Sequence, residues 1–220
     1  MNTFFKSSIG KKLSMALSAI FLMVFLLQHF LINITSVFSE SLFNSISHFM
    51  GTNPVVQFLL QPILIGGVLF HFIMGFILEI ENKKASSVGY AMVDGKKNST
   101  WMGRNMIWSG MVILAFLVLH FIDFWIPEIT YKYIEFLPDD PNRYYSELIH
   151  KFENPYRVGA YCFAFILLAL HLLHGFSSSL KSLGANKIYA HSIKVFAYTY
   201  SIGIPLGFCL IAIFHYYNNL

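Results

Sequence analysis

Histidines are the residues of this chain whose type and position are best suited to chemistry. Of the nine among its 220 residues, four lie deep within apolar stretches: His29, His71, His120 and His171. An imidazole in hydrocarbon is destabilising unless its nitrogen atoms are bonded, so such residues indicate a functional site. Imidazole nitrogens bind metal ions or transfer protons. For any single one of them a hydrogen bond to a neighbouring helix is the simpler explanation, but one histidine in each of four stretches favours a shared role.

Five apolar stretches are expected to position the reactive residues. A helix crosses about 30 Å of hydrocarbon with about 20 residues, and the stretches predict spans at about residues 12–36, 55–79, 104–126, 157–180 and 194–217.

The composition is that of a membrane protein. Only 12% of the residues are charged and the mean hydropathy is +0.59, which excludes a soluble domain. Two cysteines exclude a disulfide scaffold, and the long apolar runs exclude a nucleic-acid-binding tail. The sequence predicts an all-α integral membrane protein with five transmembrane helices, in a single domain over residues 1–220.

Basic residues predict the orientation of these helices. Eleven of the fifteen lysines and arginines precede the first span or follow the second or the fourth: Lys6, Lys11, Lys12, Lys83, Lys84, Lys96, Lys97, Arg104, Lys181, Lys187 and Lys194. Positively charged loops resist translocation, so we expect the N-terminus inside and the C-terminus outside. The outer segment between the third and fourth spans is acidic and rich in tyrosine, which favours a short helix at the membrane surface.

His29 and His120 are predicted to share one depth in the membrane. His29 lies 17 residues beyond Lys12, and His120 lies 16 residues beyond Arg104. At 1.5 Å per residue, both imidazoles are roughly 24–25 Å from the cytoplasmic face.

His71 and His171 are predicted to share a second depth. They lie 10 residues before Glu81 and Lys181, respectively, about 15 Å from the cytoplasmic face. Two histidines from different helices at each of two depths match the axial ligands of two haems stacked in a four-helix bundle. We therefore expect the first four spans to form a haem-binding four-helix bundle, with each pair of equal depth holding one iron.

A glycine follows each histidine of the inner pair by one helical turn, in the runs His71-Phe-Ile-Met-Gly75 and His171-Leu-Leu-His-Gly175. The glycines lie on the histidine face of their helices and leave room for a flat porphyrin. Close packing of helices through small residues explains them equally well. His174 competes with His171 for the ligand role, and the glycine spacing favours His171.

Two polar residues lie near the outer pair. Asp123 follows His120 by three residues, and Asn33 follows His29 by four. They orient a ligand imidazole or reach towards the membrane surface; the alternative is that they form the proton-accepting wall of a quinone pocket. The haem would be b-type, because the chain has no Cys-x-x-Cys-His sequence for covalent attachment.

This pattern resembles the di-haem cytochrome b subunit that anchors succinate dehydrogenase and fumarate reductase complexes, in the form with one five-helix membrane subunit. The resemblance covers nearly the whole chain. It rests on one histidine in each of the first four spans, on the repeated His-x-x-x-Gly, and on the runs Leu170-His171-Leu172-Leu173-His174-Gly175, Lys181-Ser182-Leu183-Gly184 and Asn154-Pro155.

The resemblance implies a non-catalytic electron-transfer and quinone-binding subunit in the bacterial cytoplasmic membrane, belonging to the respiratory chain and the tricarboxylic acid cycle. It implies one haem b on His71 and His171, near the catalytic subunits, and a second on His29 and His120, farther from them. The implied partners are a flavoprotein subunit that carries FAD, an iron–sulfur subunit docked on the inner face, and menaquinone in the membrane.

The chain departs from this family at one position. Some di-haem fumarate reductases carry a glutamate two residues before the fourth-span ligand, for proton transfer across the membrane, and this chain has Ala169 there. Glu40 and Asp123 are candidates, by location alone, for the acidic residue that such enzymes use near the quinone.

Two other functions stay open from the sequence. A cytochrome b subunit of a hydrogenase or formate dehydrogenase would differ chiefly in its soluble partner. A haem-free metal or proton transporter would use the same histidines, but transporters usually cluster carboxylates with histidines at the midplane, whereas Asp123 lies near one end of its span.

Overall fold

The computed structural model of the protein describes residues 7–85, 105–184 and 190–218. Seven α-helices longer than one turn follow one another in these ranges: α1 (Ser8–Phe38), α2 (Glu40–Thr52), α3 (Gln61–Ala85), α4 (Met106–His120), α5 (Arg143–Phe152), α6 (Pro155–Ser182) and α7 (Ala190–Asn218). A π-helical turn, Val56–Leu60, leads into α3. Two more, Phe121–Trp125 and Thr130–Ile134, flank the short α-helical segment Ile126–Ile129 and continue α4.

Five of these helices are long and apolar enough to cross a membrane: α1, α3 with its leading turn, α4 with its continuation, α6 and α7. The predicted all-α architecture with five such helices is confirmed. The predicted orientation stays a prediction, and five of the basic residues on which it depends lie outside the described ranges: Lys6, Lys96, Lys97, Arg104 and Lys187.

Side-chain caps set several helix boundaries. Ser39 ends α1 and begins α2, where its hydroxyl accepts a hydrogen bond from the Leu42 N–H at 3.2 Å. Asn154 Oδ1 accepts from the Tyr156 N–H at 2.9 Å, with Pro155 in the first turn of α6. Such caps satisfy donors that a helix start leaves unbonded, so the chain can change direction where an apolar run meets polar surroundings.

The third membrane helix continues past Pro127. The sequence predicts a span that ends near residue 126, but helical turns extend to Ile134. The π-helical turn Phe121–Trp125 lies directly before the proline. Local π adjustments of this kind re-satisfy the backbone groups that a proline frees, which lets the helix continue.

The first four membrane helices form a ring. α1 packs against α3 and α6, and α4 packs against α6 and, less extensively, against α3. In this ring α1 is therefore diagonally opposite α4, and α3 is diagonally opposite α6. α7 lies outside the ring, in contact with α1 and α6.

The deepest apolar packing lies along the contact between α6 and α7. Its buried side chains are Tyr161, Phe165, Leu172, Phe176, Tyr200, Ile204, Phe208, Ile211 and Ala212. α3 and α4 bury far fewer side chains, as expected of helices whose outer faces meet lipid tails. The ring is therefore packed most firmly on the side of α6.

Two short helices, α2 and α5, pack together at one end of the bundle, which we term the capped end. Asn44 Oδ1 on α2 accepts from the Tyr145 N–H on α5 at 2.8 Å. His215, near the end of α7, lies 2.9 Å through Nε2 from the Ser36 hydroxyl on α1. The capped end thus ties the first and last membrane helices together.

Arg143 is the main electrostatic link of the capped end. Its side chain is 8% exposed and donates to Glu147 at 2.7 Å and to Glu128. Glu128 also pairs with Lys132, which donates to the Gly51 carbonyl oxygen. Burial opposes the charge of Arg143, but hydrogen bonds to Glu128 and Glu147 and their negative charges raise its pKa above the ordinary value. The guanidinium therefore stays charged and joins α5 to the end of the third membrane helix.

We expect Arg143→Ala to destabilise the protein by about 2 kcal/mol, because it removes two charge-assisted hydrogen bonds and leaves Glu128 without its buried partner. The measurement is the free energy of unfolding in detergent. His150→Ala on the same helix is the control, since that side chain is 76% exposed. Equal stability of the two variants would contradict the assigned role.

Candidate functional site

The four intramembrane histidines form two couples across the ring of helices. The ring centroids of His29 on α1 and His120 on α4 are 5.7 Å apart, and those of His71 on α3 and His171 on α6 are 6.5 Å apart. Each couple joins diagonally opposite helices, and each contains the two histidines to which the sequence assigns one depth. We term His71 and His171 the inner couple and His29 and His120 the outer couple. Their role as haem ligands stays a prediction.

The separation of the rings fits one metal ion held between two imidazoles. Bonds of about 2.0–2.1 Å from a metal ion to two imidazole nitrogens on opposite sides put the ring centres about 6 Å apart. The separations of 5.7 Å and 6.5 Å lie on either side of that value. The spacing within each couple is therefore compatible with one metal ion or iron porphyrin held by His29 and His120, and another held by His71 and His171.

Ser18 on α1 fixes the orientation of the His71 ring. Its hydroxyl donates to the Met15 carbonyl oxygen at 2.9 Å and lies 3.0 Å from His71 Nδ1. A hydroxyl has one proton, so the bond to Met15 leaves its oxygen as an acceptor for an Nδ1–H of His71. This assignment of the hydrogen positions leaves Nε2 as the nitrogen with a free electron pair, which could bind a metal ion.

Ser109 on α4 makes the same arrangement with His171. Its hydroxyl donates to the Met106 carbonyl oxygen at 2.9 Å and lies 3.1 Å from His171 Nδ1. Both inner imidazoles are thus oriented by a serine of the preceding membrane helix. Metal-binding histidines usually donate their second N–H to such a partner, which fixes the tautomer and makes the ligand more basic.

Sequence reasoning missed these two serines, although a repeat in the sequence marks them. The pattern Met-x-x-Ser followed by a histidine eleven residues after the serine occurs at Met15 to His29 and at Met106 to His120. Each copy is followed by a helix with the pattern His-x-x-x-Gly. The ring is therefore built from two similar halves, α1 with α3 and α4 with α6.

The spacing of serine and histidine along one helix also gives the distance between the two couples. Ser18 and His29 are eleven residues apart on one membrane helix, as are Ser109 and His120 on another, which corresponds to about 16 Å at 1.5 Å per residue. Depths counted from flanking charges give only about 10 Å. A count from the flanking charges therefore understates the separation of the two couples.

The outer couple has different neighbours. Asn33 Nδ2 donates to the His29 carbonyl oxygen at 2.8 Å and lies 3.4 Å from both ring nitrogens of His29. Phe25 stacks on the His29 ring at 5.5 Å. Nδ1 of His120 is buried and has no hydrogen-bond partner among the described residues. A buried ring nitrogen without a partner is destabilising, which is consistent with a group that the protein alone does not supply.

The structure shows where the three residues predicted as quinone contacts lie and which residues they contact. Asp123 is 2% exposed, accepts a hydrogen bond from Tyr161 at 2.8 Å and forms an ion pair with Arg157 Nε at 3.2 Å. Glu40 is the exposed first residue of α2. Asn33 faces His29, as its spacing predicts. For all three, contact with a quinone stays a prediction.

The glycines that follow the inner histidines face methionines of the neighbouring helix. A Cβ added to Gly75 would lie 3.7 Å from Met15 Cε, and one added to Gly175 would lie 3.3 Å from Met106 Cε. An added Cβ would be in ordinary contact at Gly75 and would require only a small shift of the Met106 side chain at Gly175, so close helix packing alone does not require either glycine. Methionine is flexible and adapts readily to a neighbouring group, so the same strip also suits a flat ligand.

Comparison of the chain with protein-family models, with curated proteins and with solved structures finds no match.

We expect Ser18→Ala and Ser109→Ala each to lower the free energy of unfolding by about 1–3 kcal/mol, because a buried imidazole N–H loses its acceptor. Chemical denaturation in detergent measures this change. Ser182→Ala is the matched control, since its hydroxyl bonds to its own helix and is exposed. If all three variants are equally stable, the serines do not hold the inner imidazoles.

Proposed function

We propose that the protein is the cytochrome b membrane anchor of a succinate:quinone oxidoreductase, a succinate dehydrogenase or fumarate reductase. In this proposal it binds two haem b groups and passes electrons between an iron–sulfur subunit and menaquinone. It resides in the bacterial cytoplasmic membrane and makes no contact with succinate itself. The observation that carries the proposal is the presence of two histidine couples across one ring of four membrane helices.

Several features support haem over another use of these histidines. A transporter site needs polar groups that release their cargo, and transporters usually gather carboxylates beside the histidines. The intramembrane carboxylate of Asp123 is engaged by Arg157 and Tyr161 instead. The walls of the outer couple are aromatic, with Phe25 beside His29 and Phe116 stacked on His120 at 5.9 Å. Such walls exclude water and suit a large aromatic ligand.

The protein groups have a positioning role in this function. Bound haem would supply one-electron transfer, and the chain would set where each iron lies and which ligands it has. Ser18 and Ser109 hold the inner imidazoles in one tautomer. In the predicted orientation the inner couple lies nearer the cytoplasm, where the family places its iron–sulfur subunit, and the capped end faces outward.

A cavity at the capped end supports the quinone part of the proposal. It has a volume of about 160 Å³ and lies between the start of α3 and the continuation of α4, lined among others by Gln57, Gln61, Trp125, Lys132 and Tyr133. An apolar cleft with a few convergent polar groups suits a quinone ring, whose carbonyl oxygens accept hydrogen bonds.

We expect the purified protein to contain two haem b groups per chain with a low-spin spectrum, measured by the pyridine haemochrome assay. His71→Ala and His171→Ala should remove the same haem, and His29→Ala and His120→Ala the other, because one lost ligand leaves a bis-imidazole iron incomplete. His150→Ala, outside the membrane, should retain both. A folded, colourless protein would instead favour a transporter.

Co-purification of the intact complex from the native membrane tests the partner. A flavoprotein with succinate dehydrogenase or fumarate reductase activity is the expected result. A nickel enzyme or a formate dehydrogenase in its place would assign the same cytochrome to another oxidoreductase.

We expect Gln57→Leu to raise the KM for quinone about 5- to 30-fold with unchanged haem content, since loss of one hydrogen bond is worth about 1–2 kcal/mol. Steady-state quinone reduction by the complex measures it. Gln28→Leu is the control, because Gln28 lies on α1 beside Met50. An unchanged KM for Gln57→Leu would place the quinone elsewhere.

A further inference from the structure

Asp123 and Arg157 form an ion pair immediately beside the outer couple. His120 is followed directly by the π-helical turn Phe121–Trp125, which contains Asp123. The Asp123 side chain is 1% exposed and that of Arg157 is 33% exposed, with 3.2 Å between Oδ2 and Nε. The negative member is therefore fully within the protein, and the positive member partly faces its surroundings.

Tyr161 connects this ion pair to the His120 ring. Its hydroxyl donates to Asp123 Oδ2 at 2.8 Å, and its ring centroid lies 6.4 Å from that of His120. Phe116 packs against both rings, edge-on to Tyr161 at 4.9 Å and stacked on His120 at 5.9 Å. The carboxylate is thus held in a fixed, water-poor position close to this imidazole, where a charge acts with little screening.

Among the four histidines of the couples, only His120 is followed three residues later by a carboxylate, that of Asp123. The corresponding residues after His29, His71 and His171 are Ile32, Met74 and His174. The inner histidines have serine neighbours in place of such an ion pair. The Asp123–Arg157 pair therefore distinguishes the outer couple from the inner one by charge.

We propose that Asp123 and Arg157 together set the reduction potential of the haem at the outer couple, with Tyr161 fixing the carboxylate beside His120. The inference rests on the proposed function. Oxidised haem carries one positive charge more than reduced haem, so the buried carboxylate stabilises the oxidised form and the guanidinium opposes it. Removing one charge leaves the other uncompensated, and the two removals act in opposite directions.

Spectroscopic redox titration of the purified complex tests this. Asp123→Asn, which keeps the shape of the side chain, should shift the reduction equilibrium of the outer haem about tenfold towards the reduced form, an increase of about 59 mV for one electron. Arg157→Gln should lower that potential, by a smaller amount because Arg157 is partly exposed. The outer haem is identified as the one that His120→Ala removes, and Glu135→Gln, at an exposed acid directly after the same span, is the control.

Opposite shifts of the outer haem, with the inner haem unchanged, support the inference. Unchanged potentials, shifts of one sign, or equal shifts of both haems overturn it while the proposed function stands. A wild-type protein without haem overturns the proposed function itself. If Asp123→Asn does not fold, the sign of the shift in Arg157→Gln decides, and Tyr161→Phe should move the potential in the same direction as loss of the carboxylate.

Discussion

An imidazole within a membrane must have its polar nitrogens bonded, and the arrangement of the four helices follows from that requirement. Water is absent from the hydrocarbon region, so every nitrogen needs a partner from the protein or from a ligand. For the inner couple the structure provides a serine for each Nδ1. The two rings lie next to each other, with centroids 6.5 Å apart, so that the polar atoms of two helices meet in one region.

In each half of the ring, a serine of one helix bonds the Nδ1 atom of a histidine of the other helix. In the first, Ser18 of α1 bonds His71 of α3; in the second, Ser109 of α4 bonds His171 of α6. Each half contributes one histidine to each couple, so each iron would be shared between halves. A serine bond ties the two helices of a half together, whereas the couples join one half to the other. Internal repeats of this kind are common in membrane proteins with sites between the repeats.

Much of this fold is predictable because membrane helices are limited by length and hydropathy. The number of spans and the histidines of equal depth follow from counting residues at a constant rise. Helix α2 is not predictable in this way, since its apolar residues merge with those of the spans on either side. The continuation beyond Pro127 depends on a π-helical turn that has no simple sequence signal.

The residues around the histidines are predictable only in part. Asn33 is found by helical spacing, because i and i+4 lie on one face. Ser18 and Ser109 lie eleven residues from the histidine of their own helix and serve a histidine of another, so spacing along one helix does not reveal their partners. Comparing the sequences of the first and third membrane helices, α1 and α4, would have shown the serine that the two share.

The division into halves also determines how ligand binding and folding are linked. Within the ring, the contact between α1 and α6 is extensive, and that between α3 and α4 is weak. A haem held by α3 and α6, or by α1 and α4, would therefore supply links between the halves that the packing of α3 against α4 does not. A ligand that binds only the folded state stabilises that state by mass action. Bound haem would therefore contribute most to holding the two halves together on the side of α3 and α4, where direct packing is weakest. The cavity at the capped end lies on the same weak contact, so in the proposed function the edge that would accept a quinone is also the edge that bound haem would support most.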